Sequence, residues 1–163
     1  MIIVVTLVIW LIIWRFWPQS FSNIISANEN SIARVSAFAM VNRFENGQSN
    51  TGTYRIDDTE KQNNTSDEII EILASSSYQQ DFRNLLPWEL GYVDADKNYD
   101  GRTVIVSFDT GNKKDEYIQI QFLSSSIIIV SVGGKSGFHV YHPTNHKTID
   151  QLVELLQTHG VKQ

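Results

Sequence analysis

The chain has 163 residues, 13 Lys and Arg against 18 Asp and Glu, and no cysteine, so its formal net charge is −5. The lack of cysteine excludes a disulfide scaffold, a Cys-ligated zinc site, a thiol enzyme and a lipid-modified N-terminal cysteine. The acidic balance argues against nucleic-acid binding, because the attraction of phosphates requires a surplus of Lys and Arg. The length predicts one domain with a single core.

Hydrophobic residues are concentrated at the start of the chain, where residues 1–17 contain fifteen of them, with Thr6 and Arg15 as the exceptions. As a helix this segment is about 25 Å long, slightly shorter than a hydrocarbon core of about 30 Å. Aromatic residues crowd its second half, as in an interfacial belt, and Pro18 ends it. We expect a transmembrane anchor over residues 1–17; a cleaved signal peptide and a buried core helix are the alternatives.

The rest of the chain divides into a short polar segment, residues 18–30, and a longer mixed segment, residues 31–163. We interpret the first as a juxtamembrane linker and the second as a soluble domain. The single Arg15 after the apolar segment would keep the domain in the cytoplasm if the positive-inside rule is applied literally. Because the domain lacks Cys and is rich in Asn, Ser, Thr and Gln, we instead expect a single-pass protein of the cell membrane with an extracytoplasmic domain.

Period-2 alternation predicts an antiparallel sheet. Residues 32–41 fit either a strand or a helix, and the neighbouring short strand over residues 51–58 favours the strand. Four further runs, separated by turn residues, predict a meander: 102–109, 115–123, 126–132 and 137–143.

Two segments have helical spacing and a capping box at their start. In the first, Thr65 and Glu68 form the box before an isoleucine-rich stripe; in the second, Thr148 and Gln151 precede a leucine-rich stripe that ends at Gly160. The sequence therefore predicts an α+β fold: an N-terminal transmembrane helix, then an antiparallel sheet of about five to seven strands covered by two amphipathic helices.

One loop has the spacing of a calcium site. Residues 96–101 match the first half of a calcium-binding loop, with Asp96, Asn98 and Asp100 at alternate positions and glycine at the sixth. Position twelve is Ser107 where a bidentate Glu is required, and a strand pattern follows in place of a helix. The three residues are therefore candidates for a weak calcium site, and the alternative is a hairpin loop of turn-forming residues.

The remaining motifs assign no catalytic residue and no cofactor. Residues 133–136 lack the first glycine of a phosphate loop and precede a strand pattern. His139 and His142 would point to opposite faces of a strand, and His146 lies beyond it, so a shared metal is not favoured.

The order of elements resembles small extracytoplasmic domains of unknown function, membrane-anchored or lipid-anchored, of Gram-positive bacteria. The resemblance is carried by the apolar head ending in Trp17-Pro18, the segment SFSNIIS, the pair RVSAFAMV and TGTYRIDD, the helix DEIIEIL and the final segments YIQIQF, SIIIVSV, FHVYHP and DQLVELL. It implies an α+β domain outside the cell and transfers no catalytic residue. The chain departs from such proteins because no basic residue precedes the apolar head.

These observations favour a membrane-tethered, extracytoplasmic, non-enzymatic binding or interaction module. Its expected partners are the lipid bilayer, through residues 1–17, and a protein or envelope component, with no nucleic acid. The alternatives are a calcium-dependent binding or structural domain that uses the 96–101 loop and, less favoured, a small hydrolase. A hydrolase would assemble its site from residues distant in sequence, as a cleft with converging His and carboxylate groups.

Overall fold

The computed structural model describes residues 2–27, 31–45, 48–60, 64–85, 100–110, 117–133 and 137–163. Four helices are found there, α1 (Ile2–Arg15), α2 (Phe21–Ile25), α3 (Asn64–Ala74) and α4 (Thr148–His159), together with one 3-10 turn (Phe82–Leu85). The strands are β1 (Arg34–Glu45), β2 (Gln48–Glu60), β3 (Tyr78–Gln80), β4 (Arg102–Asp109), β5 (Tyr117–Ser124), β6 (Ile127–Val132), β7 (Phe138–Pro143) and β8 (Val161–Lys162).

All eight strands belong to one antiparallel sheet, in the order β3-β7-β6-β5-β4-β1-β2-β8. The prediction of five to seven strands is therefore wrong by at least one strand. The two edge strands β3 and β8 have only three and two residues, too few to show an alternating pattern in the sequence. The ambiguous segment 32–41 lies mainly in β1. Its alanines and valines from Val35 to Val41 share the buried face, and they alternate with half-buried residues on the other face.

One face of the sheet packs against α2, α3 and α4 and forms the main core. The strands contribute alternate residues, and each helix contributes one buried stripe. The fully buried members include Val106, Phe122, Ile69, Leu73 and Leu152. The two predicted amphipathic helices are α3 and α4; the short α2 is an addition that the sequence did not indicate.

The helix boundaries differ from those that the capping boxes indicated. Thr148 is the first helical residue of α4 and not its cap, because its hydroxyl donates to the Asn145 carbonyl at 2.8 Å. The Asn145 side chain instead accepts from the Lys147 N–H at 3.1 Å. At the other end Gly160 has φ −80°, so its glycine is not required by a left-handed turn. It is required by space, since a Cβ there would overlap the Leu156 carbonyl.

The prediction of a transmembrane helix over residues 1–17 is wrong. Helix α1 has 14 residues, which corresponds to about 21 Å, and it ends at Arg15. The two residues before Pro18 form a turn, consistent with the restriction that proline places on the residue before it. In the described part of the chain we find no helix that is both long enough and apolar enough to cross a membrane.

The segment expected to be a juxtamembrane linker, residues 18–30, contains packed structure in its described part. The Gln19 N–H donates to the Tyr78 carbonyl at 2.9 Å, and the Tyr78 N–H donates to the Gln19 carbonyl at 2.8 Å. Three residues of α2 are buried in the main core, and Phe21 meets the Phe108 ring edge-on with 5.7 Å between ring centroids. The packed domain therefore begins immediately after Pro18.

Candidate functional site

Helix α1 exposes apolar side chains in every direction. Each of six is more than half exposed: Val4, Val5, Leu7, Trp10, Ile13 and Trp14. Since successive residues of a helix are rotated by about 100°, these six positions are spread around the whole circumference and not along one stripe. The main core cluster of the described residues contains none of them.

At the C-terminal end of α1, aromatic rings lie near the amide side chains of Gln19 and Asn23. Trp10 and Trp14 are stacked, with ring centroids 6.4 Å apart and planes 10° apart. A groove of about 380 Å³ lies between this end and α2 and is lined by Trp14, Trp17, Pro18, Gln19 and Asn23. An indole is a hydrogen-bond donor only, whereas an amide both donates and accepts. The groove therefore lies where the apolar helix meets the polar domain.

A second cluster joins a carboxylate to a histidine. Asp81 follows β3 and is buried, and its Oδ2 lies 2.8 Å from His142 Nε2 on the neighbouring strand β7. Arg83 binds the same carboxylate twice through its side chain, at 2.9 Å and 2.6 Å, and once through its backbone N–H at 2.8 Å. Burial raises the pKa of the Asp81 carboxyl, but the hydrogen bonds from Arg83 and His142 outweigh this effect and hold the pKa at about 2.

Two histidines hold the turn between β5 and β6. His142 Nδ1 lies 2.8 Å from the Ser126 carbonyl oxygen, and His146 Nδ1 lies 3.2 Å from the Ser125 carbonyl oxygen. Both nitrogens of His142 thus face acceptors, a carboxylate and a carbonyl, and both donate when the ring carries two protons. Because each ring nitrogen of His142 lies within hydrogen-bond distance of a protein oxygen, His142 joins Asp81 after β3 to the β5–β6 turn. We call this arrangement of Asp81, Arg83 and His142 the clamp.

The calcium candidates are only partly described. Asp96 and Asn98 lie outside the described residues. Asp100 is described, and its Oδ2 lies 2.8 Å from Arg102 Nη2, while its Oδ1 accepts from the Arg102 N–H at 3.2 Å. Arg102 also binds Asp150 on α4. A cation at this loop would therefore compete with Arg102 for the carboxylate of Asp100.

The other sequence motifs lie apart from one another. His139 is exposed and lies beside the Tyr141 ring, while His142 serves the clamp. No group of three or more His, Cys, Asp or Glu side chains that could hold a metal occurs in the described part of the chain. The loop at 133–136 is described only at Gly133, whose N–H donates to the Tyr117 carbonyl.

A shallow groove of about 280 Å³ lies on the sheet beside β1. Phe38 is paired across the strands with Arg55 on one side and Ile105 on the other, and Ser36 and Ser107 line the same groove. Its lining mixes hydroxyls, one guanidinium and apolar side chains. Nothing in this mixture selects one ligand chemistry.

Sequence reasoning found α1 and missed the clamp. The apolar composition of α1 is a local property, visible without any structure. Asp81 and His142 are 61 positions apart, and they meet only because β3 pairs with β7. The only sequence signal was the cluster of three histidines, which does not identify a carboxylate partner.

No family model, curated protein or solved structure matches the chain. The expectation of a resemblance to small domains of Gram-positive bacteria therefore stays a prediction.

Proposed function

We propose that the chain is a non-enzymatic interaction module that attaches to a lipid surface through α1. The single observation that carries the proposal is the exposure of apolar side chains around the whole circumference of this helix. A groove on a protein partner covers one stripe of a helix, whereas the acyl chains of a bilayer surround it. The attachment is insertion into one side of the bilayer by a helix that does not cross it.

The energetics support insertion. Complete burial of a Val, Leu or Ile side chain contributes about 1.5 to 3 kcal/mol, and four such side chains on α1, beside two tryptophans, are more than half exposed. Beyond its first and last turns, the helix pairs its own backbone N–H and C=O groups, so the interior of a bilayer imposes little penalty on those peptide groups. Because part of each of these four side chains is already covered, their further burial contributes about 3 to 7 kcal/mol in total. This is comparable with the binding free energy of a single myristoyl chain, whose association constant of about 10⁴ M⁻¹ corresponds to about 5.5 kcal/mol.

The same proposal assigns the sheet domain to the extracytoplasmic side of the membrane. It is supported by the abundance of Asn, Ser, Thr and Gln after residue 18. Protease protection in intact cells is the direct measurement. Digestion of the domain by externally added protease is the expected result, and complete protection would reverse the assignment.

Vesicle flotation of the full chain tests the attachment. We expect the protein to float with phosphatidylcholine vesicles, and the double variant Leu7→Gln, Ile13→Gln to bind at least tenfold more weakly, because both exposed side chains lose their gain from burial. The matched control is Phe82→Gln with Val161→Gln, which removes two exposed apolar side chains outside α1. Wild-type protein that stays in the aqueous fraction, or equal losses in both double variants, would refute the proposal.

A further inference from the structure

We infer that the groove between α1 and α2 receives the headgroup and glycerol region of a zwitterionic phospholipid. This inference rests on the proposed attachment and names the lipid class that it selects. The groove is lined by Trp14, Trp17, Pro18, Gln19 and Asn23.

The position of the groove fits the polar region of a bilayer. Side chains before it, on α1, are apolar and exposed, and the packed domain begins directly after it at Gln19. Tryptophan is enriched at this depth because its ring is apolar and its N–H is polar. When α1 lies among acyl chains, the groove is therefore level with the ester and phosphate oxygens of the surrounding lipids.

The side chains in the groove offer hydrogen-bonding groups to a ligand. Within the described residues, the indole N–H groups of Trp14 and Trp17 make no hydrogen bond. The side-chain amides of Gln19 and Asn23 make none either, since Gln19 contacts Tyr78 only through its backbone. Two indoles and two amides provide donors that match ester and phosphate oxygens. The backbone pairing of Gln19 with Tyr78 fixes this end of the groove to the sheet.

Charge selects between lipid classes. None of the described side chains that line the groove is charged, so recognition uses neutral donors. The whole chain, Arg15 included, carries 13 Lys and Arg against 18 Asp and Glu, a net charge of −5. An anionic surface repels this domain within a Debye length of about 10 Å at 0.1 M salt. A zwitterionic headgroup has no net charge, because its ammonium balances its phosphate, and it therefore does not repel the domain.

The test compares two kinds of vesicle and one double variant of the full chain. The partition constant into phosphatidylcholine vesicles is expected to exceed that into phosphatidylglycerol vesicles, with a difference that shrinks as salt is added. Gln19→Ala with Asn23→Ala should lower binding to phosphatidylcholine by about tenfold, because two hydrogen bonds are lost. The matched control is Gln48→Ala with Asn50→Ala, which removes the same two side-chain types from exposed positions of β2.

The outcomes separate this inference from the proposed function. Failure of the wild type to bind either vesicle would refute the attachment itself. Binding that is unchanged in the Gln19, Asn23 double variant, with an unchanged melting temperature, would refute the groove and leave the attachment standing. Equal or stronger binding to phosphatidylglycerol would likewise refute the zwitterionic preference.

Discussion

Asp81 lies in an environment unlike that of a surface carboxylate. It is buried, and the Arg83 side chain, the Arg83 N–H and His142 all contact its two oxygens. Because Asp81 and His142 bind each other, and His142 also binds the β5–β6 turn, the pair stabilises the edge of the sheet. A test by pH follows from the lowered pKa of Asp81.

The pKa of Asp81 lies at about 2 in the folded chain, against an ordinary value of 3.8 for an aspartate in water. The stabilisation is therefore present above about pH 4 and is lost as pH falls through about 2. We expect Asp81→Asn to lower the free energy of unfolding at neutral pH by about 1 to 2 kcal/mol and to flatten its decline in acid. Urea unfolding at several pH values measures both, with exposed Glu154→Gln as the control. If the free energy of unfolding of Asp81→Asn falls in acid as steeply as that of the wild type, Asp81 is not the group responsible for the decline.

Asp100 provides the second residue-scale prediction. Its carboxylate is bound by Arg102, so we expect millimolar calcium to raise the melting temperature no more than sodium chloride of equal ionic strength. Arg102→Gln should lower the free energy of unfolding by about 0.5 kcal/mol, as is usual for a partly exposed ion pair. The same variant also removes the arginine that binds the Asp100 carboxylate. A calcium response of the wild type that is lost in Asp96→Ala would show instead that the 96–101 loop binds the ion.

At the scale of elements, the end of α4 depends on one glycine. A Cβ at position 160 would overlap the Leu156 carbonyl and press on the backbone of Arg55 in β2. Since both neighbours are backbone atoms, Gly160→Ala should lower the free energy of unfolding by about 1 to 3 kcal/mol. Thermal unfolding checks this, with the exposed Thr158→Ala as a control of similar position. An unchanged free energy of unfolding would mean that α4 and β8 move apart to make room for the Cβ without a loss of stability.

The elements differ in how well the sequence predicts them, and the reasons are physical. The meander from β4 to β7 and the stripes of α3 and α4 were predictable because alternation and helical spacing extend over six or more residues. The strands β3 and β8 were not, since their pairing is decided by chain segments distant in sequence. The cap of α4 was misplaced by one residue, because the helix begins at Thr148 and its N-cap position is Lys147, which makes no capping hydrogen bond through its side chain.

The candidate sites show the same division. The apolar α1 was evident from residues 1–17, although its length was overestimated because the turn before Pro18 was counted as helix. The clamp required the pairing of β3 with β7, and the groove below α1 required the docking of α2. Local composition therefore identified the apolar helix, whereas contacts between distant segments created the other sites.

At the scale of the whole molecule, α1 projects an apolar surface from an acidic domain. In water without lipid, this surface is expected to drive self-association, because exposed apolar patches of this kind are covered by other molecules. Light scattering should report oligomers that disperse when phosphatidylcholine vesicles are added. Leu7→Gln with Ile13→Gln should shift the same protein towards the monomer. A wild type that is monomeric in the absence of lipid would contradict this expectation.

The pairing of Gln19 with Tyr78 has a mechanical consequence. When the domain is pulled away from a surface that holds α1, the load enters the sheet at β3, the edge opposite β8, through two backbone hydrogen bonds. Tyr78 passes part of the load to α3, since its hydroxyl donates to the Leu73 carbonyl at 2.8 Å. Because these two bonds precede α2 in the chain, we expect them to break before the central strands are loaded.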